Sequence, residues 1–206
     1  MLLMGGMIVA AVGFVGTPSG RAMSERDKTR HLETATFAGG FFWCMEPPFE
    51  ALAGVVSVTV GYTGGTEQQP TYEQVSSGKT GHAESIEVRY DGSQVSYERL
   101  LEVFWMNIDP TTPNQQFADH GSQYRTAIFY HDEKQRRLAE ASKDALARSG
   151  TFTSPIVTQI VPASTFYPAE AYHQHYYKTH ALRYTLYRIG SGREGFLKKT
   201  WGASAH

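Results

Sequence analysis

The segment Phe37-Ala-Gly-Gly-Phe-Phe-Trp-Cys-Met-Glu-Pro-Pro-Phe49 carries the only cysteine of the chain, Cys44, directly behind an aromatic run. A lone thiol forms no internal disulfide, so Cys44 is either buried filler, a common place for free cysteine, or chemistry. Gly39 and Gly40 end an apolar stretch and open a predicted helix. Its first turn offers unpaired N–H groups and a dipole that favour a thiolate. Phe42 and Trp43 beside the thiol can wall an apolar pocket. Glu84, in Thr80-Gly-His-Ala-Glu-Ser85, stands at a strand entrance, where pattern alone makes it a solvated acid. Tyr72 and Tyr124, each taken alone, read as core or interface packing. Asp119, near His120 and Arg125, reads as a surface ion pair of small energetic weight. His173 and His175 are possible metal ligands with Cys44, although positions i and i+2 do not share a helical face.

The elements that must hold these residues follow from periodicity and turn chemistry. Strands are predicted over Glu33–Ala38, Val55–Val60, Ser85–Tyr90, Thr126–Tyr130 and Pro155–Val161. Helices are predicted over Phe42–Leu52, from the cap Ser96 to Met106, from the cap Asp132 to Arg148, and over Ala169–Lys178. Pro47 and Pro48 are tolerated only near the first turn of the first helix. The tail, Arg188 to His206, reads as irregular chain wrapping the surface. Strands alternating with helices give an α+β fold, a two-layer sandwich of helices packed on one mixed sheet.

A chain of 206 residues accommodates one domain with a terminal extension. A net charge of -1 without a basic stripe argues against nucleic-acid binding. Residues 1–22 begin with an apolar, glycine-rich run and read as a signal peptide or N-terminal anchor, which points to the periplasm or cell envelope, with the cytoplasm as the alternative. Residues 23–32 are charged and read as a linker to a domain over 33–206.

Gly39-Gly-Phe-Phe-Trp-Cys-Met-Glu46 resembles the Gly-Gly-Cys-Phe-Trp-Cys-Met-Glu form of the signature of A-type peptide methionine sulfoxide reductases. Pro70-Thr-Tyr72, Gly81-His-Ala-Glu84, Asp119-His-Gly-Ser-Gln-Tyr-Arg125 and Tyr167-Pro-Ala-Glu-Ala-Tyr-His-Gln174 match further blocks of that family in order, so the resemblance spans about Glu33 to Trp201. It implies a ferredoxin-like core and reduction of the S epimer of methionine sulfoxide, free or in oxidised proteins, as repair of oxidative damage. It further implies a monomer with no bound cofactor and with thioredoxin or another thiol as external reductant. By resemblance, Glu84 protonates the sulfoxide oxygen, which needs a carboxyl kept protonated by burial. The Tyr72 hydroxyl bonds that oxygen, Asp119 and Tyr124 face the site, and Phe42 and Trp43 hold the S-methyl group. His175 stands where the family usually carries Asp.

The family's attacking cysteine falls on Phe41, and Cys44 falls on the second cysteine, the resolving thiol. Phe41 cannot attack. Side chains three apart on a helix have Cβ atoms roughly 5–6 Å apart, whereas attack needs reacting atoms about 3–3.5 Å apart, so Cys44 substitutes only in another substrate pose. Two alternatives to a reductase follow: an inactive paralogue that binds a sulfoxide or thioether, and a repurposed metal-binding enzyme using Cys44 and histidines.

Overall fold

Alternating β-branched residues and short polar ones build the sheet, and two glycines at the end of its first strand redirect the chain into the candidate site. The computed structural model describes residues 31–202; the leader read over 1–22 and all but the end of the charged linker lie outside them. The six-stranded sheet contains β1 (Leu32–Gly39), β2 (Val55–Thr63), β3 (Ala83–Asp91), β6 (Thr126–Tyr130), β7 (Gln159–Pro162) and β8 (Tyr167–Pro168), in the order β7-β6-β1-β3-β2-β8. Only β6 and β7 pair in parallel, so the sheet is mixed. A separate two-residue ladder joins β4 (Gln115–Gln116) to β5 (Asp119–His120).

The helices are α1 (Glu46–Glu50), α2 (Tyr72–Ser76), α3 (Tyr97–Trp105), α4 (Glu133–Arg148), α5 (Tyr176–Thr179), α6 (Ala181–Gly190) and α7 (Arg193–Trp201). Helices packed on a mixed sheet make the fold α+β. Ser96 caps α3 by accepting from the Arg99 N–H, and Asp132 caps α4 by accepting from the Gln135 N–H. The core is aromatic where α1 and α3 meet β1: Phe37 stacks on Phe49 at 5.3 Å and on Phe104 at 5.1 Å.

Four expectations change. The helix expected over Phe42–Leu52 is a 3-10 turn, Phe42–Cys44, followed by the five-residue α1. Pro47 and Pro48 lack N–H groups, so a helix can hold them only in its first turn and must start at Glu46. The helix expected over Ala169–Lys178 breaks at His175, which adopts φ 52 between a 3-10 turn and α5. The tail expected to be irregular from Arg188 holds the end of α6 and all of α7, tied down by Arg193, a fully buried cation, while residues 203–206 lie outside the described residues. The strand expected from Pro155 pairs only over Gln159–Pro162, while the Val157 N–H is spent on the Pro110 carbonyl.

Candidate active site

Gly39 and Gly40 let β1 turn sharply. Gly40 has φ 82, and a Cβ there would lie 2.4 Å from the Cβ of buried Gln116, so both the backbone and the space demand glycine. Phe41 keeps a non-helical backbone, φ -58 and ψ 116, before the 3-10 turn. That turn aims the backbone N–H of Phe42 at β3, where it donates to Glu84 Oε2 at 3.2 Å. Glu84 is the second residue of β3, opposite Tyr62, and is fully buried. It is therefore not the solvated acid that pattern alone suggests. Among the described residues its Oε1 has no partner. Burial raises its pKa well above the ordinary carboxylate range, the Phe42 N–H lowers it in part, and nearby Asp119 raises it further. Burial thus favours the protonated form of this carboxyl, one oxygen of which is uncommitted.

Around it stand the phenols. Tyr72 and Tyr124 are both held neutral by burial and by the proximity of Glu84 and Asp119. Asp119 is not in an ion pair with Arg125. It accepts a short hydrogen bond from the Tyr187 hydroxyl, while Arg125 donates to the carbonyls of Ser122 and Gly81 at 2.9 and 3.0 Å. Burial raises the Asp119 pKa, and the Tyr187 bond and Arg193 pull against it.

The aromatic wall continues through Phe42, whose ring lies 5.1 Å from His173 and 5.9 Å from Tyr62. Trp43 lies flat on Tyr176, with ring centroids 3.4 Å apart, and donates its indole N–H to His173 Nδ1. That bond fixes the His173 tautomer, and burial lowers the His173 pKa, so the ring is neutral. The Phe41 ring is only 8 % exposed, wedged 4.4 Å from Trp43 and 4.9 Å from Tyr187. Cys44 is buried in a cluster with Tyr176 and Tyr184, packed against Trp43 and Tyr187, and is 1 % exposed. Burial pushes its thiol pKa up, against the lowering by Arg193 and Arg188. The expected thiolate at a helix start is therefore absent, because no long helix begins there and the thiol is desolvated.

The sequence model for "Peptide methionine sulfoxide reductase" matches residues 33–205. The peptide methionine sulfoxide reductase MsrA of Bacillus licheniformis is 57% identical over 170 residues, covering 82% of this chain and 94% of that protein. This chain belongs to the peptide methionine sulfoxide reductase family. The MsrA of Bacillus subtilis is 56% identical over 171 residues, covering 83% of this chain and 97% of its own length. Methionine sulfoxide reductase A of Corynebacterium diphtheriae superposes with TM-score 0.66 at 34% identity, covering 73% of this chain and 76% of that one. Mxr1 from Saccharomyces cerevisiae in reduced form gives TM-score 0.67 at 31% identity, over 73% and 86% of the two chains.

Within this reductase-family framework, sequence reasoning missed four supports of the site. Glu170 bridges two site elements, accepting from the Tyr62 hydroxyl and from the Tyr72 N–H, each at 2.9 Å. Gln174 clamps β2, accepting from the Val60 N–H at 3.0 Å and donating to the carbonyls of Val60 and Ala169. Tyr187 seals the pocket over Phe41 and Asp119. Arg193 donates to the carbonyls of Asn107, at 2.6 Å, and Gly39, at 3.0 Å. Glu170 and Gln174 fall in the matched block Tyr167–Gln174, which carried a signal; nothing in the tail announced Tyr187 or Arg193. Among the described residues, neither His173 nor His175 gathers with Cys44 into a three-ligand group. His173 is committed to Trp43, and His175 turns toward α1.

Proposed function

We propose that the pocket formed by Phe42, Trp43, Glu84, Tyr72 and Tyr124 receives the S epimer of methionine sulfoxide, free or in oxidised proteins, and serves its reduction to methionine. The observation that carries this reading is Glu84, fully buried with Oε1 unpartnered beside an aromatic wall. An S-methyl group needs an apolar slot, which Phe42 and Trp43 supply, and an S=O group needs neutral donors, which Tyr72, Tyr124 and protonated Glu84 supply. In the family's reaction a thiolate at the place held here by Phe41 attacks the sulfoxide sulfur, and the acid at the place of Glu84 gives its proton to the oxygen. The oxygen stays with the attacking sulfur as a sulfenic acid, the thioether leaves, and a second thiol forms a disulfide with loss of water. An external dithiol such as thioredoxin then takes up the disulfide. The apolar character of residues 1–15 supports work in the cell envelope.

In this chain Phe41 fills the nucleophile's place, and Cys44 is buried with its thiol pKa raised. We therefore expect turnover by the chain as it stands to be far below that of a Phe41→Cys variant, assayed with dithiothreitol on methionine S-sulfoxide. Adding Glu84→Gln to that variant lowers the rate by about a hundredfold or more, the usual worth of a general acid. A folded Phe41→Cys protein without turnover refutes the reading of the remaining site. Turnover by the unmodified chain that vanishes in Cys44→Ser assigns the nucleophile to Cys44 instead. The Phe41 ring favours a second reading, a binding protein that retains the pocket without chemistry; saturable quenching of tryptophan fluorescence by methionine sulfoxide without turnover supports it.

A further inference from the structure

Glu46 and Glu50 stand one turn apart on α1, the spacing that places both carboxylates on one helix face. His175 meets that face from the start of α5. Its Nδ1 lies 2.9 Å from Glu46 Oε1 and 2.8 Å from Glu50 Oε1, and its backbone N–H donates to Glu46 Oε1 at 3.0 Å. One ligand atom from each of the three residues fits within a 4.8 Å span. Two further features separate this group from an ordinary surface ion pair. Glu46 is fully buried, and its Oε2, on the same carboxyl that meets His175, has no partner among the described residues. Glu50 divides its oxygens: Oε2 is taken by the Tyr177 hydroxyl and by Lys178 Nζ, the latter at 2.5 Å, which leaves Oε1 turned to His175. The His175 side chain is 48% exposed, so solvent reaches the group.

We infer that Glu46, Glu50 and His175 form a site for a divalent transition metal of the zinc class, bound through His175 Nδ1 and one oxygen from each carboxylate. One imidazole with two carboxylates suits zinc and its neighbours, whereas magnesium and calcium prefer all-oxygen shells. Three protein ligands with a solvent-filled fourth position is a form that zinc adopts. Binding requires His175 Nδ1 without its proton, so any proton held there is released as the metal enters. The Lys178 ammonium, on the far oxygen of Glu50, opposes the metal's charge. The metal would tie α1 to α5, whose Tyr176 carries the Trp43 ring.

The test is equilibrium dialysis of the chelator-stripped full chain against Zn2+, with Co2+ absorption as a second readout. The unmodified chain and Cys44→Ser are expected to bind one equivalent. His175→Ala and the nearly isosteric Glu46→Gln, each checked for folding by its denaturant midpoint, are expected to weaken binding about tenfold or more. Lys178→Ala is expected to strengthen it. The Co2+ spectrum is expected to lack the thiolate charge-transfer band that ligation by Cys44 would give. No binding by the unmodified chain, equal binding by folded His175→Ala, or loss of binding in Cys44→Ser overturns the assignment.

Discussion

Arg193 fastens the C-terminal helices over the site, and the single cysteine reports on that fastening. Its guanidinium is buried and donates to the carbonyls of Gly39 and Asn107 at 3.0 and 2.6 Å, with the Phe117 ring 4.6 Å away. Arg193→Met keeps the aliphatic bulk and removes both bonds. Each hydrogen bond from a charged donor contributes about 1.5–3 kcal/mol. Sparing the guanidinium its desolvation offsets part of the loss, leaving a net cost of about 2–3 kcal/mol. Because α7 anchors α6, whose Tyr184 covers Cys44, the cost falls on opening of the tail. With about 1.4 kcal/mol per tenfold change, labelling of Cys44 by a disulfide reagent should accelerate about 30- to 150-fold at fixed pH. One cysteine in the chain makes the trace unambiguous. Equal labelling rates in the two proteins refute the argument. Acceleration that only follows global unfolding, measured by denaturant titration, also refutes it, because Arg193 would then support the whole domain and not the tail.

Phe41→Cys should lose about 2 kcal/mol of stability, near the low end of buried aromatic truncations because the thiol refills part of the space and water can reach the rest. At about 2–4 °C per kcal/mol for a domain of this size, calorimetry should show a melting point lower by about 4–8 °C; no change would mean that the ring is not packed as described. Glu84 binds a proton in the folded state that it gives up on unfolding above the usual carboxylate pKa. Its contribution to stability therefore falls as pH rises from about 4.3 towards its raised folded value. In Glu84→Gln the denaturant midpoint should decline less steeply over that range, by up to about 1.4 kcal/mol per pH unit; an unchanged slope would show Glu84 ionised in the fold. Gly40→Ala forces a Cβ into the 2.4 Å approach of Gln116 at φ 82, and urea unfolding should register a loss of at least about 1–2 kcal/mol. Wild-type stability in that variant would contradict the turn geometry.

The central strands, the capped helices α3 and α4 and the mixed α+β architecture were legible because alternation, Ser96 and Asp132 act through local geometry. The pairing of Phe42 and Trp43 with Glu84, Tyr72, Tyr124 and Asp119 was legible only through the family's ordered blocks, since each residue alone suits a core or surface position. The sequence by itself determined that position 41 holds a side chain without a nucleophilic atom and that one thiol is present. It could not say that the thiol is desolvated, because burial of Cys44 depends on Tyr176 and Tyr184, more than 130 positions along the chain. The same holds for the protonation of Glu84, set by the packing of neighbouring strands and the 3-10 turn around one carboxyl, and for the tail. A helical tail with a buried arginine looks polar in sequence, and only the carbonyls left free at Gly39 and Asn107 give that cation a reason to be inside.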